Sequence, residues 1–230
     1  MEACGMVSNI VITTIPRIRL VWRAFELFVL FVLLPTLLLG YNLLARRNGW
    51  PEAPKIPLLI VFVIAITAAL VRDPSFTMGA LWNARALRPL WRPMLLRFAL
   101  CAAGLALFTW LVFPAEFFAL LRYRPGVWLA TVILYPVVSV YPQEVVYRTF
   151  WYHRYAALFP HRAARIAANA AVFGYMHVVY ENYWAVALTA LGGLLFAHTY
   201  ERSGSTFAVS VEHALYGVWV FTVGLGFLVS

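Results

Sequence analysis

Apolar runs close to the length of a bilayer-spanning helix recur along this chain, and they leave few architectures open. A helix that crosses the hydrocarbon core needs about 20 predominantly apolar residues. Seven such segments can be marked, at roughly 24–45, 57–71, 96–117, 126–142, 163–180, 183–200 and 206–228. Backbone polar groups in lipid must be satisfied within the protein, so helical segments of this kind pack as a bundle. The expected fold is therefore an all-α polytopic membrane bundle of about seven transmembrane helices, with six to eight as the range. The second segment is short, which fits a tilted or partly re-entrant helix. Residues 143–158 either continue the fourth helix beyond Pro142 or begin a new one. Residues 73–94 carry Arg72, Arg85, Arg88 and Arg92 on or beside them, and read as an interfacial loop with room for an amphipathic helix.

Composition agrees with this reading. Of the 230 residues, 63% are hydrophobic, against about 45–50% in a soluble domain. The formal net charge of +9 is of the kind that nucleic-acid binding would use. The arginines stand mainly at the ends of apolar runs, however, where topology signals and headgroup contacts belong. No basic cluster forms a folded unit of its own, so a nucleic-acid partner is not expected. With the N-terminus placed in the cytoplasm, the inner segments carry 11 basic residues and the outer ones 5, counted outside the spans. This bias points to an N-in, C-out protein, and a bacterial inner membrane is the expected location. Trp and Tyr gather near span ends, as in interfacial belts. Cys4 and Cys101 suggest neither a disulfide framework nor a zinc site. No cleavable leader is evident in the first apolar stretch.

Three strings place ionisable residues inside the later apolar segments. They are Gln143-Glu144-Val145-Val146-Tyr147-Arg148, Phe173-Gly174-Tyr175-Met176-His177 and Glu212-His213-Ala214-Leu215-Tyr216-Gly217. Intramembrane ionisable groups are costly and mark functional sites by default. Glu144 and Arg148 are four apart and share a helix face. Alone, they could be a self-neutralising pair. Phe173 and His177 share the same spacing, and His177 alone could be a packed histidine bonded to a backbone carbonyl. His213 lies near mid-span, and Gly217 leaves room for close approach. Gly192-Gly193 favours close packing of the sixth span. His198 and Glu26 sit near span ends, where snorkelling accounts for them. Short connections bring the helices carrying these strings together. A carboxylate, two imidazoles and an arginine converging in a low-dielectric pocket suit general-base activation of water.

These strings resemble the CPBP family of intramembrane proteases, which includes the CAAX prenyl endopeptidases. Its pattern is Glu-Glu-x-x-x-Arg, Phe-x-x-x-His and His-x-x-x-Asn on successive membrane helices. Gln143-Glu144-x-x-x-Arg148 matches the first apart from its leading residue. Phe173-x-x-x-His177 matches the second in full, and His213-x-x-x-Gly217 matches the third apart from its last residue. The run from Gly192 to Ser205 also looks like the family. The resemblance covers about residues 126–217. It implies a catalytic core at 126–230, within the last four helices, preceded by N-terminal helices and an interfacial loop at 1–125, all in one membrane domain.

By that resemblance the protein is an intramembrane endopeptidase acting on a membrane-associated protein or peptide, with the lipid bilayer as its other partner. Glu144 would be the general base, His177 would bind the attacking water, and His213 would stabilise the oxyanion. Gln143 would position water or substrate, Arg148 would hold Glu144, and Phe173 and Gly217 would support the site. Gln143 stands where the family's water-activating Glu is expected. Either Glu144 takes that role through a small helix rotation, or catalysis is lost. The missing Asn at Gly217 leaves Tyr216 or a backbone N–H as a substitute donor. No cofactor is expected. A zinc site is the minor alternative, since His-x-x-x-His and His-Glu-x-x-His are both absent. The competing function is a non-proteolytic membrane binder, such as an immunity protein or scaffold. A transporter would show internal repeats and matched broken helices, and neither is found.

Overall fold

The computed structural model describes residues 16–228; Cys4 lies outside them. Among the described residues there are helices and connecting turns but no strand. The long helices are α1 (Arg17–Asn48), α2 (Lys55–Arg72), α4 (Trp91–Val112), α6 (Pro125–Leu158), α7 (Arg162–Met176), α8 (Tyr183–Ser203) and α9 (Thr206–Val223). Two short helices, α3 (Gly79–Trp82) and α5 (Ala119–Tyr123), punctuate the connections. All seven expected segments are thus helical. Four of them, α1, α4, α6 and α9, are long and apolar enough to cross a membrane. The fold is a helical membrane bundle. The second segment is a shorter apolar helix, Pro57–Arg72, and α7 has 15 residues.

The question at Pro142 resolves as one helical run from Pro125 to Leu158. Proline removes an N–H and crowds the preceding turn. The run accommodates Pro136 and Pro142 by widening into π-helical turns at Pro136–Val140 and Val145–Phe150. Such π-turns concentrate at functional sites. A turn that takes up one extra residue rotates everything beyond it by about 100°, the angle between neighbouring residues. One residue of rotation is the difference between Gln143 and Glu144 facing the bundle interior. Glu144 is the one that does so: it is fully buried, whereas Gln143 is half-buried.

Of residues 73–94, 73–90 form short turns rather than a long amphipathic helix, and 91–94 open α4. They are fastened over the later helices. Trp82 stacks on Tyr141 at 4.8 Å, the Tyr141 hydroxyl donates to the Leu81 carbonyl (3.2 Å), and Ser205 Oγ donates to the Asn83 carbonyl (2.9 Å).

The tightest helix pair is α7 with α8, and glycine sets the distance. A Cβ on Gly174 would lie 2.6 Å from that of Ala190, and one on Gly193 would lie 3.1 Å from Ala170 Cα. Small residues permit such close approach in membrane bundles. The turn from α8 to α9 is equally short. Gly204 takes the left-handed conformation (φ 56°) that ends α8, and Ser205 then caps α9 by accepting from Ala208 N–H (3.2 Å). This turn sets α9, with His213, directly against α6 and α8. Glu26, expected to snorkel, is instead bound: Arg154 donates to both of its oxygens (3.0 and 2.8 Å) and Tyr155 to one (2.9 Å).

Candidate active site

The three sequence strings meet where α6, α7 and α9 come together, with α8 closing one side. Glu144 is at the centre. His213 Nδ1–H donates to Glu144 Oε1 at 2.7 Å, and Arg148 Nε lies 3.3 Å from Glu144 Oε2. Glu144 and Arg148 have no solvent exposure, and His213 is 6% exposed. The carboxylate therefore has a cation on one side and an imidazole on the other, in surroundings that strengthen electrostatic attraction.

Aromatic rings supply the walls. The Arg148 guanidinium lies 4.6 Å from the Phe173 ring centroid and 5.8 Å from that of Phe196, within cation–π range. Its three nitrogens make no hydrogen bond among the described residues. Ring faces and the Glu144 carboxylate are thus its compensation for burial. The His213 imidazole stacks on Phe196 (4.4 Å, 20°) and meets Phe173 edge-on (5.6 Å, 88°). Phe173 also lies 5.0 Å from the His177 ring. One phenylalanine therefore touches both imidazoles and the arginine.

His177 caps α7. Its Nδ1 lies 2.8 Å from the Phe173 carbonyl oxygen. A carbonyl only accepts, so Nδ1 carries the proton and Nε2 keeps its lone pair. The Phe173–His177 spacing thus serves twice, through the carbonyl and through the ring. Gln143 is turned from the centre and donates its amide N–H to Ser139 Oγ (2.8 Å). Gly217 faces Tyr135. Gln143, His177 and Gly217 are half-buried, so the site has a closed side at Glu144, Arg148 and His213 and a more open side at these three.

Residues 125–219 match the family model described as type II CAAX prenyl endopeptidase Rce1-like. This stretch is similar to an Rce1-like domain. No curated protein and no solved structure gives a match. The matched stretch opens at the first residue of α6 and ends within α9, two residues past Gly217, so it holds all three strings. The match supports a CAAX-type intramembrane protease at the level of the family, with a peptide or protein substrate in a membrane setting. Together with its apolar helices, it makes this an integral membrane protein.

Several residues of the site carried no motif. Phe196 lies in the Gly192–Ser205 run, but its role as a stacking platform depends on α8 packing against α9. Asn169 donates to the Tyr147 carbonyl (2.6 Å), satisfying a backbone group within the second π-turn. Arg97 on α4 donates to Glu212 Oε1 (2.9 Å) and to Thr199 Oγ1 (3.2 Å), so Glu212 points away from the centre. Tyr216, a candidate substitute donor, also turns away: its ring packs on Phe98 and Phe196 and its hydroxyl makes no hydrogen bond among the described residues. The phenol at the site is Tyr135. Among the described residues no group of three or more His, Cys, Asp or Glu is placed to hold a metal ion.

Proposed function

We propose that the protein hydrolyses a peptide bond of a membrane-associated protein or peptide, with Glu144 and His213 working as one acid–base pair. The observation that carries this reading is the 2.7 Å hydrogen bond from His213 Nδ1 to the buried Glu144 carboxylate. With Nδ1–H committed to Glu144, the Nε2 lone pair faces outward. A carboxylate behind an imidazole orients it and compensates the charge it gains on taking a proton.

A water held by the Nε2 lone pair of His177 attacks the carbonyl carbon. Its proton passes to His213 Nε2, and Glu144 balances the imidazolium. The carbonyl π pair moves to oxygen. On collapse the C–N bond breaks, and His213 returns the proton to the leaving amine. Gln143, whose amide keeps a second N–H beyond the one given to Ser139, positions water or substrate. Arg148 fixes Glu144, and Phe173 fixes both imidazoles. In this division the basicity of Glu144 reaches the water through His213, and the residue at 143 need not be a base. The proton balance closes on these side chains, so we propose a reaction that uses no cofactor. We further propose a bacterial inner membrane with a cytoplasmic N-terminus, an orientation that the 11-to-5 charge bias supports.

The test compares new protein termini in native-host membranes carrying wild-type protein, Glu144→Ala or His177→Ala at equal abundance. Termini present only with wild type would establish proteolysis and name the cut site. Identical termini, with folded protein in all three, would replace this reading by a membrane binder that co-purifies with its partner without cleaving it.

A further inference from the structure

Tyr135 lies on α6, nine residues before Glu144, and its hydroxyl reaches His213 from the side opposite the carboxylate. The Oη–Nε2 separation is 3.4 Å, and the two rings meet edge-on with centroids 6.3 Å apart. The Nε2 lone pair left by the Glu144 bond is the acceptor that the phenolic O–H meets. Glu144, His213 and Tyr135 thus form a chain from the buried centre to the half-buried side. Phe221 packs edge-on against the Tyr135 ring at 5.2 Å. Phe221 and Thr131, one turn before Tyr135, line a surface cavity of about 510 Å³. Phe221 therefore links the cavity wall to the Tyr135 ring.

The phenol occupies space that only glycine at 217 leaves open. A Cβ there would lie 2.6 Å from the Tyr135 hydroxyl oxygen and 2.8 Å from Cζ, closer than real Cβ atoms come. Any side chain at 217 therefore competes with Tyr135 for one place beside His213.

We propose that Tyr135 is the positioning residue of His213, with Gly217 as the gap that admits it. Its O–H fixes the plane of the imidazole from the Nε2 side, as Glu144 does from the Nδ1 side, and yields Nε2 when water and substrate enter. This rests on the protease reading above.

The experiment uses purified full-length protein in detergent and a quenched fluorescent peptide spanning a cut site found by terminal-peptide mass spectrometry. Tyr135→Phe keeps the ring and removes the hydroxyl. We expect kcat to fall about 100-fold, as when a reacting group is misplaced by about 1 Å, with KM and melting midpoint unchanged. Gly217→Ala should lower both kcat and the melting midpoint in wild type, and add no further loss to Tyr135→Ala. Full kcat in Tyr135→Phe, with His177→Ala inactive, would overturn the role of Tyr135 and leave the protease standing. Equal losses from Gly217→Ala with and without Tyr135 would overturn the steric pairing. Cleavage that survives in His177→Ala, or is missing from wild type, would overturn the protease reading and the role of Tyr135 with it.

Discussion

The helices before residue 125 and those after it both include spans apolar enough to cross a membrane, yet they handle polar groups in opposite ways. Of thirteen buried polar or charged residues among those described, only Asn42 and Thr109 precede Pro125; the other eleven lie between Glu144 and Thr222. The earlier helices present Val, Leu, Ile, Phe and Trp outward and keep most charges at their ends. The later ones draw Glu144, Arg148, Glu212 and His213 into the interior. Apolarity thus accounts for the bundle in both regions, and only the second incurs the desolvation cost that a reactive site requires.

The largest effect that would break this contrast is the loss of His213. Removing a general acid–base group costs about 3–5 kcal/mol of barrier, or several hundred-fold in rate and more. We expect His213→Ala to remove cleavage of the mapped peptide while the protein still purifies as a folded species. Near-normal turnover would show that the buried pair is structural and that the two regions differ in packing alone.

Next is the cation behind the carboxylate. Arg148→Met keeps an apolar, similarly long side chain against Phe173 and Phe196 but leaves Glu144 buried beside His213 alone. Breaking a fully buried pair by removing one partner costs about 3–5 kcal/mol. We expect a marked fall in the melting midpoint in detergent, most of it recovered in the double variant Arg148→Met/Glu144→Gln. An unchanged midpoint would mean that the ring faces and the carboxylate are not what balances this arginine.

These residues also show what could be read in the chain. The Glu144–Arg148 and Phe173–His177 pairs were legible because four-residue spacing defines a face on any helix. The helical bundle was legible from the length of the apolar runs, and the family match at 125–219 agrees with the resemblance at 126–217. The rotation that turns Glu144 inward stood only as one of two alternatives, because the π-turns around it break the 3.6-residue period that sequence reading assumes. Tyr135 was invisible for another reason. Its contact with His213 spans 78 residues and depends on a missing Cβ at Gly217, and neither leaves a periodic trace. The exchange of Glu212 from neighbour of the site to partner of Arg97 depends likewise on α4 docking against α9.

That docking contact sharpens the comparison, since it is where the first region reaches into the second. Arg97 is 30% exposed, whereas Glu212 is fully buried and keeps one oxygen without a hydrogen bond among the described residues. Arg97→Ala would strand the carboxylate. Exposure of the arginine tempers the cost, which we place at about 2 kcal/mol, read as a lower melting midpoint. Arg97→Ala/Glu212→Gln should recover most of it. No change in Arg97→Ala would show that the later helices hold Glu212 without help from α4.

The smallest effect lies at the edge of the bundle, where Asp73 follows α2. Ser75 donates to its Oδ1 through both N–H (2.9 Å) and Oγ–H (2.6 Å), and His153 Nε2 lies 3.0 Å from Oδ2. The Ser75 side-chain bond, then the His153 bond, hold this carboxyl well below the ordinary aspartate range. A depressed folded value fixes the sign: the stabilisation is complete above the unfolded value of about 3.9 and is lost as pH falls toward the folded one. Wild type should therefore exceed Asp73→Asn in melting midpoint by a small, constant margin from neutral pH down to about pH 5, and the margin should shrink below about pH 4. The Asp73 side chain is 33% exposed and within reach of water, so the margin stays far below that of the Arg148 variant, whose buried pair has no water to replace its partner. A margin as large as that for Arg148 would mean that the peripheral turn, and not the buried site, carries the electrostatic stability of the fold.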